Sequence, residues 1–103
     1  MDVTAGSKAV LIGTDNVELS CTVTGITTKI KSVQWKNSDG AYVKDLPDFN
    51  VTEGQFGGGG QVSTLTVSKE QTVDVEYFCV ITPSSPDDTT TLTTVVNIDV
   101  YSK

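Results

Sequence analysis

The stretch VEYFC, residues 75–79, lies late in a chain of 103 residues that has only two cysteines. Successive side chains of a β-strand point to opposite faces of the sheet. As a strand, this stretch would direct Tyr77 and Cys79 to one face and Phe78 to the other. A tyrosine and a cysteine therefore share one side of the predicted strand, and their partners have to come from the rest of the chain.

The length and charge of the chain limit its function. It is long enough for one domain with a modest core. Its net charge is −6, from 13 acidic residues against 7 lysines, and it contains neither arginine nor histidine. We expect no nucleic-acid partner, because no basic stripe is present to neutralise phosphates. The absence of histidine removes the commonest general base and zinc ligand, so we expect neither an enzyme nor a metal or cofactor site.

Apolar residues recur along the chain with a period of two, which is typical of β-strands and not of helices. The clearest run is NVELSCTVTG (residues 16–25), in which Val17, Leu19, Cys21 and Val23 alternate with polar residues. Threonine and valine are frequent, and both are β-branched residues that fit a pleated surface. The pattern predicts strands near residues 8–12, 16–24, 31–37, 41–44, 49–53, 61–68, 76–82 and 90–101.

The same alternation predicts which side chains of the later strands point inward. They are Val33, Trp35, Leu65, Val67, Leu92, Val96, Ile98 and Val100. Thr94 interrupts the last of these sets, and a β-bulge there is an alternative that would change the parity of the strand.

Turn signals separate the predicted strands. The Asp39-Gly40 pair suits a tight hairpin turn with positive φ, and the glycine-rich GQFGGGGQ (54–61) is expected to form a hairpin tip. TPSSPDD (82–88) contains two prolines, which cannot donate hydrogen bonds to a sheet, so it is predicted to be a loop. The sequence thus predicts an all-β sandwich or barrel of seven or eight short strands without an α-helix.

Five residues of the predicted strands resemble the landmarks of an immunoglobulin-superfamily domain: Cys21, Trp35, Leu65, Tyr77 and Cys79. The resemblance covers essentially the whole chain. It implies an immunoglobulin-like antiparallel β-sandwich in which a Cys21–Cys79 disulfide bridges the two sheets. It also implies that Trp35 packs on this bridge, that Leu65 faces the core from strand E, and that the Tyr77 hydroxyl binds the backbone at the corner between strands E and F.

The chain departs from the variable type of that family. Variable-type domains carry an aspartate four residues before the tyrosine, paired with an arginine; here Val73 takes that position, and no arginine exists. The span between the cysteines is also short for a variable domain. The chain is therefore more similar to the constant-2 or intermediate sets, and we expect residues 1–103 to be a single immunoglobulin-like domain excised from a larger ectodomain.

Two features indicate the cellular compartment. A persistent disulfide implies an oxidising environment. Asn50-Val51-Thr52 is an N-glycosylation acceptor, which predicts Asn50 as a glycosylation site of an extracellular or cell-surface glycoprotein. The alternative is an intracellular domain of the muscle-filament type, in which such cysteines stay reduced.

The resemblance implies an extracellular protein-recognition module of an adhesion molecule or immune-type receptor, which binds a second copy or a different protein. The alternative is a spacer domain that holds recognition domains away from a membrane. If Tyr77 and Cys79 point inward, the predicted interface is the outer face of the sheet formed by strands G, F and C. Its candidate residues are Gln34, Tyr42, Phe78, Val80 and Val95, with Tyr101 as an extension. The opposite sheet presents serines and threonines, which suit water or a glycan.

Overall fold

The computed structural model describes residues 2–26, 29–84 and 91–102. Within these ranges the chain forms eight β-strands and one turn of 3-10 helix, Val43–Asp45. The strands are β1 (Asp2–Gly6), β2 (Lys8–Leu11), β3 (Val17–Thr24), β4 (Ser32–Lys36), β5 (Phe49–Glu53), β6 (Gly60–Val67), β7 (Val75–Thr82) and β8 (Leu92–Tyr101).

The strands form two four-stranded sheets. The first sheet has the order β1-β3-β6-β5 and the second the order β2-β8-β7-β4. Neighbouring strands are antiparallel except β2 and β8, which are parallel. The predicted all-β sandwich is confirmed.

Residues 2–11 contribute one strand to each sheet. β1 pairs with β3, and β2 pairs with β8. Gly6 lies opposite Ser20, and a Cβ atom on Gly6 would lie 2.0 Å from the Ser20 hydroxyl oxygen. A side chain at this position would therefore require the Ser20 hydroxyl to move away. β1 was not among the strands predicted from the sequence. Its only inward apolar residues are Val3 and Ala5, and both are half-buried.

The strand predicted at residues 41–44 is wrong. Residues 43–45 form the 3-10 turn, and Tyr42 makes only an isolated β-bridge with Lys36. Val43 is completely buried, and the 3-10 turn contacts both β4 and β5. Burial of this apolar side chain explains why the chain leaves the edge of the second sheet here, since a continued edge strand would leave Val43 close to water.

Glycines shape the two predicted hairpin turns. In the first, Gly40 has a φ of 84° and its N–H donates to the Asn37 carbonyl at 3.0 Å. In the second, Gly58 and Gly59 have φ values of 60° and 77°, the left-handed pair that a two-residue hairpin turn requires. Of the loop predicted at 82–88, Thr82 ends β7 and residues 83–84 are outside the strands. The rest of that loop lies outside the described residues.

The core lies between the two sheets and consists of alternate residues of the strands. Its fully buried members include Leu19, Leu65, Ile81, Val96 and Ile98. Leu92 and Val100, at the two ends of β8, are partly buried against the same core. The alternation therefore continues through Thr94 without a bulge, and Phe78, Val80 and Val95 are left on the outer face of the second sheet.

Candidate functional site

Two cross-links fix the centre of the sandwich. Cys21 of β3 and Cys79 of β7 form a disulfide with a Cα–Cα distance of 6.5 Å. Cys21 lies opposite Ser63 in the first sheet, and Cys79 lies opposite Trp35 in the second. The Trp35 indole N–H donates to the Ser63 hydroxyl at 2.9 Å, and both side chains are buried. β7, the middle strand of the candidate interface, is thus tied to the opposite sheet.

Tyr77 lies on the inner face of β7 and is only 2% exposed. Its ring packs edge-on against Phe49, with the ring centroids 5.8 Å apart. Burial raises the pKa of the Tyr77 hydroxyl above its ordinary value. The resemblance implied a hydrogen bond from this hydroxyl to the backbone, but it makes no hydrogen bond within the part of the chain that the structure describes. Ring packing and burial therefore hold Tyr77 in place.

The candidate interface residues of β4, β7 and β8 lie side by side on the outer face of the second sheet. Phe78 lies between Lys36 of β4 and Val95 of β8. Val80 occupies the next outward row, between Gln34 and Thr93. Val95 is 42% exposed, whereas Phe78 and Val80 are half-buried by their neighbours. The structure thus brings four of the five candidate residues together.

Tyr42, the fifth candidate, extends this face beyond the edge of the sheet. It is 39% exposed and forms the isolated bridge with Lys36. The Lys36 ammonium lies 5.0 Å from the centroid of the Tyr42 ring, a cation–π distance. A continuous row therefore runs from Val95 through Phe78 and Lys36 to Tyr42, and Lys36 was not among the residues predicted from the sequence. We call this set of four residues the apolar row.

Tyr101 does not belong to the apolar row. It is 54% exposed, but it lies six residues beyond Val95 along β8, or about 20 Å at the usual rise of a strand. Its carbonyl accepts a hydrogen bond from the Ile12 backbone at 2.8 Å, at the far end of the domain. Tyr101 therefore lies apart from the apolar row, and the extension of the interface to Tyr101 stays a prediction.

An acidic cavity of about 480 Å³ adjoins the apolar row. We define it by its lining residues, which are Ser38, Asp74, Val75, Glu76, Asn97 and Asp99. Glu76 and Asn97 face each other across β7 and β8, one outward row from Phe78 and Val95. The described residues contain no group of three histidine, cysteine or acidic side chains placed to hold a metal ion.

Sequence reasoning missed this cavity because its residues come from three separate segments. The one available signal was the Asp74-Val75-Glu76 spacing, which directs two carboxylates to the same side of the start of β7. The contribution of Asp99 depends on the register between β7 and β8, which no local pattern reveals.

The outer face of the first sheet is polar by comparison. Thr64 and Thr66 of β6 lie opposite Ser20 and Glu18 of β3. On the edge strand β5, Asn50 and Thr52 are both exposed, and they lie opposite Thr66 and Thr64. Val62 of β6 is the exception, because it is an apolar residue that is 39% exposed. The Asn50 acceptor tripeptide is therefore accessible and sits beside a hydroxyl-rich surface.

The sequence matches no protein-family model, and a comparison with curated proteins finds no match. Among solved structures, the N-terminal Ig1-2 module of the Drosophila receptor protein tyrosine phosphatase DLAR is similar, with a TM-score of 0.61 and 16% identity. The alignment covers 99% of this chain and 49% of that one, so the chain spans about half the length of the module. The BTLA ectodomain is also similar, with a TM-score of 0.61, 12% identity and coverage of 100% of both chains. The chain has the immunoglobulin fold.

Within the described ranges, no helix has both the length and the apolar composition that a membrane span requires.

Proposed function

We propose that this chain is an extracellular protein-recognition domain of a receptor or adhesion molecule, and that it binds its partner through the outer face of the second sheet. The observation that carries the proposal is the apolar row, which places Phe78 between Val95 and Lys36 and ends at Tyr42. Aromatic side chains at the centre of a surface with charged groups at its rim are typical of protein interfaces.

The disulfide and the acceptor tripeptide support the extracellular assignment. The Cys21–Cys79 bridge is formed in the fold, and such bridges persist in oxidising compartments. The two similar structures come from a receptor phosphatase and from an ectodomain. We propose that the chain is one immunoglobulin-like domain of a larger ectodomain at the cell surface or in a secreted protein.

The difference between the two outer faces supports the choice of sheet. A glycan on Asn50 would lie beside Thr66, its opposing residue in the first sheet, and near Thr64, which lies opposite Thr52. Hydroxyl-bearing side chains keep their hydration next to a glycan. The removal of Phe78 and Val95 from water by a partner, in contrast, lowers the free energy of the complex. We therefore assign the glycan to the first sheet and the protein partner to the second.

The test compares two pairs of substitutions, one on each outer face. The first pair is Phe78→Ser with Val80→Ser, and the matched pair is Thr22→Lys with Thr66→Lys. Circular dichroism establishes that both variants fold. A screen against cell-surface ectodomains and sedimentation velocity then measure partner binding and self-association. The proposal expects binding to be lost only in the first pair, and loss only in the second pair would overturn it.

A further inference from the structure

Opposite charges lie on two different sides of Phe78 on the outer face of the second sheet. Lys36 lies next to Phe78 on the neighbouring strand β4, and Glu76 is the preceding outward residue of β7 itself. At the usual dimensions of a sheet, Lys36 is about 5 Å and Glu76 about 7 Å from Phe78, in directions at right angles to each other. The face therefore carries a positive charge across the sheet from Phe78 and a negative charge along the strand.

Both charges are available to a second molecule. Glu76 is exposed, and the Lys36 ammonium lies over the Tyr42 ring, 5.0 Å from its centroid. Neither Lys36 nor Glu76 has an ion-pair partner among the described residues. An oppositely charged group of a partner can therefore approach either side chain without breaking an existing ion pair.

The positions of these charges make the face complementary to itself. Two copies of the chain that meet through this face would be related by a two-fold axis in the plane of the contact. Such an axis exchanges positions that lie at equal distances on its two sides. An axis that passes through Phe78 and bisects the angle between Lys36 and Glu76 places Lys36 of each copy over Glu76 of the other, because their distances from Phe78 differ by only about 2 Å.

The same operation matches the apolar residues of the face. Phe78 meets Phe78 of the second copy on the axis. Val95 lies beside Phe78 on the side opposite Lys36, and Val80 follows Phe78 along β7 on the side opposite Glu76. The operation therefore places Val95 of each copy over Val80 of the other. Two ion pairs then flank a centre of aromatic and aliphatic side chains, which is the composition of a protein interface.

We propose that a second copy of this chain docks on the apolar row, with reciprocal ion pairs between Lys36 and Glu76, an inference that rests on the proposed binding through the second sheet. The strands of the two copies cross at about 90° in this arrangement, which is one of the two preferred geometries of packed sheets. The net charge of −6 on each copy opposes association. The dimer is therefore of modest affinity, and the ion pairs fix its orientation.

The test measures self-association of the intact chain by sedimentation equilibrium at concentrations up to about 1 mM. The parent chain should form a dimer that dissociates on dilution. Lys36→Glu and Glu76→Lys should each weaken the dimer by about tenfold or more, because each replaces both attractive contacts by repulsive ones. The two substitutions change the net charge in opposite directions, so a loss in both cannot come from the net charge.

An equimolar mixture of the two single variants tests the pairing itself. In a mixed dimer both contacts again join opposite charges, so the mixture should dimerise within about threefold of the parent chain.

Glu18→Lys is the matched control, because it changes the net charge as Glu76→Lys does but lies on the outer face of the first sheet. It should change the dissociation constant of the dimer by less than about threefold. Circular dichroism establishes that each variant folds. Because Glu76 is exposed, the comparison of Glu76→Lys with Glu18→Lys decides the question even if Lys36→Glu does not fold.

Three results would overturn the proposal. They are a parent chain that stays monomeric at about 1 mM, equal dimerisation of Glu76→Lys and Glu18→Lys, and a mixture that dimerises no more tightly than its separate components. Failure of the proposed function gives a different pattern. If the parent chain stays monomeric while Phe78→Ser with Val80→Ser loses a partner in the ectodomain screen, the binding face stands and the second copy is excluded as its partner.

Discussion

Trp35 and Ser63 join the two sheets by a hydrogen bond of 2.9 Å between the indole nitrogen and the hydroxyl oxygen. The bond lies beside the disulfide, because Ser63 is opposite Cys21 and Trp35 is opposite Cys79. The Trp35 N–H has no access to water, since the side chain is 2% exposed. The serine therefore satisfies a donor that the large apolar ring brings into the core.

Substitution of Ser63 tests this relationship. Ser63→Ala leaves the Trp35 N–H buried without an acceptor and should lower the free energy of unfolding by about 1–3 kcal/mol. Thr64→Ala, at the neighbouring outward position, is the control and should cost less than about 0.5 kcal/mol. Urea unfolding followed by Trp35 fluorescence measures both. A Ser63→Ala variant as stable as the control would show that the hydrogen bond contributes nothing.

The disulfide should supply a large share of the stability. Its cysteines are separated by 58 positions, and closure of a loop of that length contributes about 4 kcal/mol in the chain-entropy model. The double variant Cys21→Ala with Cys79→Ala should lose about this amount in chemical denaturation. A loss below about 1 kcal/mol would mean that the core alone holds the sheets together.

Tyr77→Phe separates the packing of the ring from the role of its hydroxyl. The hydroxyl has no partner among the described residues, so the substitution should change the free energy of unfolding by less than about 0.5 kcal/mol at neutral pH. A loss of about 1 kcal/mol or more would establish a hydrogen bond from the hydroxyl at the corner before β7.

The same variant tests the pH dependence. The pKa of Tyr77 is raised above 10.0 in the folded protein by burial, so the unfolded chain releases this proton first. Its contribution to stability is fully present below pH 10 and is lost as the pH rises through the folded pKa. Unfolding measurements above pH 10 should show a smaller alkaline loss in Tyr77→Phe than in the parent chain, with Tyr101→Phe as the exposed control. Equal losses in the parent and in Tyr77→Phe would contradict the burial effect.

The glycine run offers a matched pair in one turn. Gly58 has a φ of 60°, whereas Gly57 lies outside the left-handed region, and a Cβ at either position meets no atom within 4 Å. Gly58→Ala should cost about 1–2 kcal/mol, because an L-residue is strained in the left-handed conformation. Gly57→Ala should be neutral or slightly stabilising. Thermal unfolding measures the melting temperature of both variants. Equal melting temperatures would contradict the left-handed conformation of Gly58.

Local periodicity predicted the elements in which apolar and polar residues alternate over several positions. Val17 to Val23 in β3 and the inward residues of β7 are of this kind, and their burial follows from the period of two. The disulfide and the aromatic landmarks were predicted from the resemblance of Cys21, Trp35, Tyr77 and Cys79 to the landmarks of immunoglobulin domains, and the structure forms the Cys21–Cys79 bridge.

The remainder depends on contacts between distant segments. β1 is held by its pairing with β3, and its two inward apolar residues, Val3 and Ala5, are only partly buried against the core. The 3-10 turn at residues 43–45 lies where the chain passes from β4, at the edge of the second sheet, to β5, at the edge of the first, and it buries Val43 in the core between the sheets. Asp99 joins Glu76 at the acidic cavity only through the register of β7 and β8.

The central claim is that the outer face of the second sheet binds a protein, and a glycan placed on that face tests it most directly. Thr93→Asn with Val95→Thr creates a glycosylation acceptor on β8, beside Val80 and Phe78. Val95→Thr alone and Asn50→Gln are the controls, and affinity for the partner is measured on proteins secreted from glycosylating cells. The glycan at position 93 should abolish binding, whereas Val95→Thr alone should weaken it only in part, through the loss of one apolar side chain of the row, and Asn50→Gln should leave it unchanged. Unchanged affinity in the variant that carries this glycan would contradict the account.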